Sequence, residues 1–126
     1  MDNISQKIIN FTKELINTPS QNGIDSEKQI AKVVYDKLLS FGFKPQFIGT
    51  KKHPSVICYI QKKDSGKTIW LESCLDTVVT GDISKWKYSP FEGKIVGNKM
   101  YGRGVADSKV AIAIFCYLAK ELAEDK

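Results

Sequence analysis

The segment at positions 102–109, Gly-Arg-Gly-Val-Ala-Asp-Ser-Lys, constrains this chain more than any other part of it. Two glycines on either side of an arginine are typical of a tight turn, because glycine adopts backbone conformations that other residues avoid. Residues 110–119 are all apolar or aromatic and are predicted to form a buried helix. The pattern therefore places one carboxylate, Asp107, where a turn enters a helix.

From the residue alone, Asp107 fits two roles. An aspartate just before a helix can be its N-cap and accept hydrogen bonds from the exposed N–H groups. It can also bind a ligand, and a cation suits it better than a phosphate. A dinucleotide turn needs a third glycine where Asp107 stands, and a carboxylate there would repel the pyrophosphate.

A second segment of interest is Glu-Ser-Cys-Leu-Asp-Thr-Val at positions 72–78. Residues 68–74 are mostly apolar and predict a central strand. Side chains two positions apart on a strand share a face, so Cys74 and Asp76 are expected on the same side. A thiolate at Cys74 could ligate a metal, and Asp76 could orient it or act on bound water. The pair also fits a buried cysteine and an aspartate that starts a turn.

The remaining pattern predicts three helices, with the extended stretches between the second and the third. Apolar periodicity predicts helices over residues 3–17 and 30–41, the second preceded by a capping box of Ser26 and Gln29 and followed by Gly42. A final helix is predicted from position 108 to about 124. Helices on either side of a mixed β-sheet, an α/β fold, are the expected architecture.

Four stretches are predicted to be extended. Residues 43–48 contain Pro45 and predict an edge strand, and residues 55–60 predict the next one. This second strand is expected to form a hairpin with residues 68–74 across a turn at 63–66. Residues 91–101 predict a short hairpin that turns at Gly97 and Asn98.

Composition excludes several classes of protein. The chain has 126 residues, which predicts one domain at most, and no apolar run reaches the roughly 18 residues of a membrane span. The net charge of +5 comes mainly from scattered lysines, so we expect no nucleic-acid or membrane partner. No signal peptide is visible, and the three cysteines match no metal knuckle or disulfide framework, which predicts a reducing cytoplasm. The lone histidine, His53, is predicted to lie at the surface.

The two segments and their spacing resemble the zinc-dependent aminoacylase and carboxypeptidase G family, which includes acetylornithine deacetylase and succinyl-diaminopimelate desuccinylase. That family has a strand ending in His-x-Asp-Thr-Val, a loop with a tryptophan and Pro-Phe, and a Gly-Arg-Gly-x-x-Asp-x-Lys turn. The matching positions occur in the same order in this chain: Leu75-Asp76-Thr77-Val78, Trp86, Pro90-Phe91, Tyr101-Gly102-Arg103-Gly104 and Asp107-Ser108-Lys109.

The resemblance implies a role for each of three residues. Asp107 matches the carboxylate that bridges two zinc ions. Asp76 matches the aspartate that supports the first histidine ligand, and Cys74 stands where that histidine is expected. A thiolate can bind zinc, although it would weaken the Lewis acidity of the metal. Cys74 is therefore either a substitute ligand or a lost one.

The resemblance also implies a zinc-exopeptidase-like, three-layer α/β/α fold, of which residues 1–126 are the N-terminal portion of the catalytic domain. The implied reaction is zinc-dependent hydrolysis of amide or peptide bonds in N-acyl amino acids or small peptides. In the family, the general-base glutamate and further ligands follow this region, so the chain alone is expected to be inactive. The alternative is a non-catalytic remnant that acts as a binding module and self-associates through an uncovered sheet edge or helix face.

Overall fold

The computed structural model describes residues 3–62 and 66–124. Two helices are followed by two strands in the first half, and the long final helix follows a hairpin and a kinked turn. In chain order the elements are α1 (Asn3–Ile16), α2 (Lys28–Ser40), β1 (Gln46–Gly49), β2 (Pro54–Ile57), a short 3-10 helix (Ile83–Lys85), β3 (Lys94–Val96), β4 (Lys99–Tyr101) and α3 (Val110–Glu124).

The first two helices confirm the prediction from apolar periodicity. α2 ends next to Phe41, and Gly42 follows with a φ of 83°, the left-handed conformation expected after a helix. The predicted capping box is wrong. The hydroxyl of Ser26 accepts a hydrogen bond from the backbone N–H of Lys28 (3.2 Å) and donates one to the carbonyl of Lys52 (2.5 Å). Ser26 therefore ties α2 to the loop before β2 and does not pair with Gln29.

The strands form two separate antiparallel pairs. β1 pairs with β2, with Phe47 opposite Val56, and β3 pairs with β4, with Ile95 opposite Met100. The predicted hairpin within residues 91–101 is confirmed. The predicted hairpin between residues 55–60 and 68–74 is wrong, because β2 pairs with the strand before it. The short loop between β1 and β2 lets the chain fold straight back.

The predicted central strand at residues 68–74 is also wrong. This segment lies outside every strand, and Ile69 and Trp70 are 73% and 70% exposed. A strand needs a neighbour to satisfy its backbone N–H and C=O groups. No strand within residues 3–62 and 66–124 pairs with this segment. The described residues therefore form a mixed α/β fold with small two-stranded sheets, and not the single mixed sheet that was predicted.

The apolar core lies where the three helices meet. The ring of Phe11 on α1 packs edge-on against Tyr117 on α3, with 6.4 Å between the ring centroids. Each fully buried large apolar side chain contributes about 1.5–3 kcal/mol. The core consists of Phe11, Leu15, Ile30, Val34, Leu38, Ile112, Ala113, Cys116 and Tyr117. Packing of α3 against α1 places the turn before α3 beside the C-terminal end of α1.

No helix in the described part of the chain combines the length and apolar character needed to cross a membrane.

Candidate functional site

The turn before α3 has a shape that depends on Gly104. Its φ of +84° is in the left-handed region, and a Cβ at this position would lie 2.8 Å from Cγ2 of Thr77. The backbone N–H of Lys109 donates to the carbonyl of Gly104 (2.8 Å), which closes the turn. Within it, Asp107 and Ser108 have non-helical backbone angles, and the peptide bond between them is cis. The carboxylate of Asp107 is therefore carried on a closed loop, not on α3 itself.

Lys109 is fully buried beneath this turn. Its ammonium donates to the backbone carbonyls of Leu15 (2.9 Å) and Thr18 (2.8 Å), at the C-terminal end of α1. Burial lowers the pKa of Lys109 to about 8, and the negative charge of Asp25 opposes that shift. The structural role of Lys109 was not predicted from the sequence. Its position directly before an apolar helix could have indicated that the side chain is buried, because an exposed charge is unusual there.

The backbone on both sides of Asp76 is fixed by the loop that follows α1. The hydroxyl of Ser20 donates to the carbonyl of Leu75 (2.8 Å), and the N–H of Thr77 donates to the carbonyl of Ser20 (2.8 Å). Gln21 and Thr77 form a parallel bridge. Asp76 itself is half-buried. Its predicted role in orienting a metal ligand remains a prediction.

The two segments singled out from the sequence meet at a pair of serines. The hydroxyl oxygens of Ser73 and Ser108 are 2.9 Å apart, and the Ser73 hydroxyl also lies 3.2 Å from the backbone carbonyl oxygen of Ser108, to which it can donate. Ser73 directly precedes Cys74, and Ser108 directly follows Asp107. Both Cys74 and Asp107 are exposed. The fold thus joins two chain segments that are separated by more than thirty positions and that carry the thiol and the carboxylate.

The donor types at this place suit zinc, but their number is small. Cysteine sulfur and aspartate oxygen are both common zinc ligands, and a catalytic zinc takes three ligands from the protein. Within residues 3–62 and 66–124, no group of three or more histidine, cysteine, aspartate or glutamate side chains could hold a metal. The lone histidine, His53, pairs with Glu27 near the start of α2. The ligand roles of Cys74 and Asp107 therefore remain predictions.

The loop between the two segments is held by Trp86 and Arg103. The guanidinium carbon of Arg103 lies 5.1 Å from the centre of the Trp86 ring, a cation–π contact. The indole N–H of Trp86 donates to the carbonyl of Thr80 (3.0 Å), and the backbone N–H of Arg103 donates to the carbonyl of Pro90 (2.6 Å). These contacts pack the loop against the glycine turn.

Comparison with known proteins places this arrangement in a family of metallopeptidases. Residues 70–126, which contain both segments, match the model of Peptidase family M20/M25/M40. Among curated proteins, succinyl-diaminopimelate desuccinylase of Ehrlichia canis is 35% identical over 115 residues, and that of Blochmanniella floridana is 31% identical over 119 residues. These alignments cover 89% and 93% of this chain.

A solved structure agrees with the sequence matches. An M20 family metallo-carboxypeptidase from Sulfolobus solfataricus superposes with a TM-score of 0.71 at 26% identity, over 97% of this chain. The chain belongs to the M20/M25/M40 peptidase family. It spans 28–30% of the length of the two desuccinylases and 27% of the carboxypeptidase.

Proposed function

We propose that this chain forms part of the catalytic site of a zinc-dependent hydrolase that cleaves amide or peptide bonds in N-acyl amino acids or small peptides. The observation that supports this most directly is the contact between Ser73 and Ser108, which joins the segments that carry Cys74 and Asp107. The relatives are named as desuccinylases and as a metallo-carboxypeptidase, and both names are consistent with such a reaction.

Each candidate residue has a distinct part in the proposed site. The Asp107 carboxylate would hold the metal, as the carboxylate at this position does in the family. Cys74 would hold it as a thiolate, with the thiol proton released to solvent on binding. Asp76 orients the ligand set from the segment that Ser20 holds in place. Zinc, when bound, supplies Lewis acidity and lowers the pKa of water.

The proposal extends to the complete domain. We propose that residues 1–126 correspond to the N-terminal portion of a three-layer α/β/α catalytic domain. The isolated chain is expected to be inactive, because Cys74 and Asp107 together are fewer than the three protein ligands of a catalytic zinc. Turnover of N-acyl amino acids by the isolated chain, abolished by a chelator, would contradict this expectation.

A chimera tests the proposed function. This chain replaces the matching region of the Ehrlichia canis desuccinylase, and the purified chimera is assayed with zinc on N-acyl amino acids, with and without a chelator. We expect chelator-sensitive hydrolysis that Asp107→Asn abolishes and Cys74→His increases, because imidazole restores the ligand type that Asp76 orients. Glu92→Gln, which changes an exposed carboxylate, is the matched control for Asp107→Asn. A folded chimera in which Asp107→Asn has no more effect than Glu92→Gln would refute the role of Asp107.

One observation favours a second candidate function, a binding module that associates with a further copy of itself. Ile69, Trp70 and Leu71 form an exposed apolar run in an extended segment. Extended apolar segments with unpaired backbone groups readily add a strand from another chain. Sedimentation velocity over a range of concentrations tests it. Association that weakens in Trp70→Ser would support self-association, and a compact monomer at every concentration would rule it out.

A further inference from the structure

One anchor between the glycine turn and the rest of the fold is a charged side chain. Lys109 is fully buried, and its ammonium donates to the carbonyls of Leu15 and Thr18 at 2.9 and 2.8 Å. The last carbonyls of a helix have no partner within the helix and carry its negative end. The Lys109 ammonium is a second donor to the Leu15 carbonyl, which also accepts from the N–H of Thr18 (3.2 Å), and it satisfies the Thr18 carbonyl, two residues beyond α1. Its positive charge interacts favourably with that end of the helix.

Gly104 and Lys109 depend on one another. A Cβ at position 104 would come within 3.2 Å of Cδ and 3.3 Å of Cγ of Lys109, so the lysine stem passes directly over the glycine. The N–H of Lys109 also donates to the carbonyl of Gly104. The spacing Gly-x-x-Asp-x-Lys is thus one structural unit, in which the two ends close on each other and Asp107 lies on the loop between them.

The same unit contacts the second segment. The hypothetical Cβ of Gly104 would also collide with Cγ2 of Thr77, at 2.8 Å, and Ser108 contacts Ser73. A shift of the turn away from α1 would therefore change the position of Asp107 relative to Cys74. The anchor beneath the turn and the serine contact above it act on the same short loop.

We propose that Lys109 is a positioning residue for the metal site: its buried ammonium anchors the glycine turn to the end of α1 and so holds Asp107 beside the Cys74 segment. The metal-binding part of this statement rests on the proposed function. The anchoring part does not, because it can be measured without any metal.

The experiment uses the whole chain and two readouts. Hydrogen–deuterium exchange of the amides at 104–109 reports the turn itself, and titration with cobalt(II), followed by its thiolate absorption, reports metal affinity. Lys109→Met keeps the length of the side chain but removes its donors. Lys7→Met removes an exposed lysine of α1 and is the matched control. We expect faster exchange at the turn and a loss of roughly 10- to 100-fold in cobalt affinity for Lys109→Met, as for other residues that support metal ligands, and neither change for Lys7→Met.

The outcomes separate the two claims. Unchanged exchange at the turn in Lys109→Met would overturn the anchoring, and faster exchange with unchanged cobalt affinity would overturn the positioning of Asp107. If the unaltered chain binds no cobalt, the proposed function fails, while the exchange data still decide whether Lys109 anchors the turn. If Lys109→Met does not fold by circular dichroism, Lys109→Gln replaces it. Glutamine removes the charge and shortens the side chain, so the same two readouts and the same outcomes apply.

Discussion

Residues 102–109 contain Asp107 and residues 66–72 lead towards Cys74, yet most of the first segment is buried or half-buried and the second is exposed. In the turn, Gly104 and Lys109 are buried and contact each other. In the other segment, Ile69 and Trp70 are mostly exposed. The turn is closed by its own hydrogen bond between Lys109 and Gly104 and is anchored to α1 through the Lys109 side chain. A strand becomes ordered only when a neighbouring strand pairs with it. The two segments therefore differ in whether the described residues supply their partners.

Among the variants in these two segments, the largest effect is expected from Gly104→Ala, which should destabilise the chain by about 3 kcal/mol. A positive φ costs an alanine about 1–2 kcal/mol, and forcing a Cβ against Thr77 adds about 1–3 kcal/mol. Gly23→Ala is the matched control, because Gly23 has a φ of +77° but nothing within 4 Å of the added Cβ. It should cost only about 1 kcal/mol. Urea unfolding measures the loss in free energy of unfolding for both variants. Equal losses would mean that the turn is not closely packed.

A smaller effect is expected from Ser73→Ala, which removes the hydroxyl that contacts Ser108. Loss of a partly buried hydrogen bond should lower the free energy of unfolding by about 1 kcal/mol. Ser84→Ala, at an exposed hydroxyl in the loop between the segments, is a control of the same chemistry. Hydrogen–deuterium exchange of the Ser108 amide should also become faster in Ser73→Ala, but not in Ser84→Ala. If both variants behave alike, the serine contact does not hold the two segments together.

The smallest effect is expected from Trp70→Ser, which should change the free energy of unfolding by less than about 0.5 kcal/mol. Substitutions at exposed positions without specific contacts usually fall in that range. The indole N–H of Trp70 donates to Glu72 two residues away (3.2 Å), an exposed contact that contributes little. Phe11→Ala, in the core, should instead cost about 3–5 kcal/mol. A large loss for Trp70→Ser would show that residues 66–72 pack against the fold in solution.

The sequence predicted the helices and the hairpin within residues 91–101 well, because the patterns that indicate them are local. The apolar period of α1, the glycine after α2 and the Gly97 turn each act within a few residues. Residues 68–74 were predicted incorrectly for the opposite reason. Their composition is that of a central strand, but a strand also needs partners, and none of the described strands pairs with them.

At the candidate site, the sequence indicated the two segments but not the contacts that join them. Cys74, Asp76 and Asp107 were singled out by residue type and by resemblance to the family, and their proposed roles remain predictions. The burial of Lys109 and the pairing of Ser73 with Ser108 depend on how α3 packs against α1. Such contacts span more than thirty positions and leave no periodic trace in the sequence.

Metal binding by the chain itself tests most directly whether Cys74 and Asp107 form part of one zinc site. Cobalt(II), a spectroscopic substitute for zinc, is titrated into the unaltered chain, Cys74→Ser and Asp107→Asn, while thiolate absorption is recorded. We predict saturable thiolate absorption for the unaltered chain, its loss in Cys74→Ser and weaker binding in Asp107→Asn. Absorption that Asp107→Asn leaves unchanged, or no saturable binding at all, would contradict a shared site.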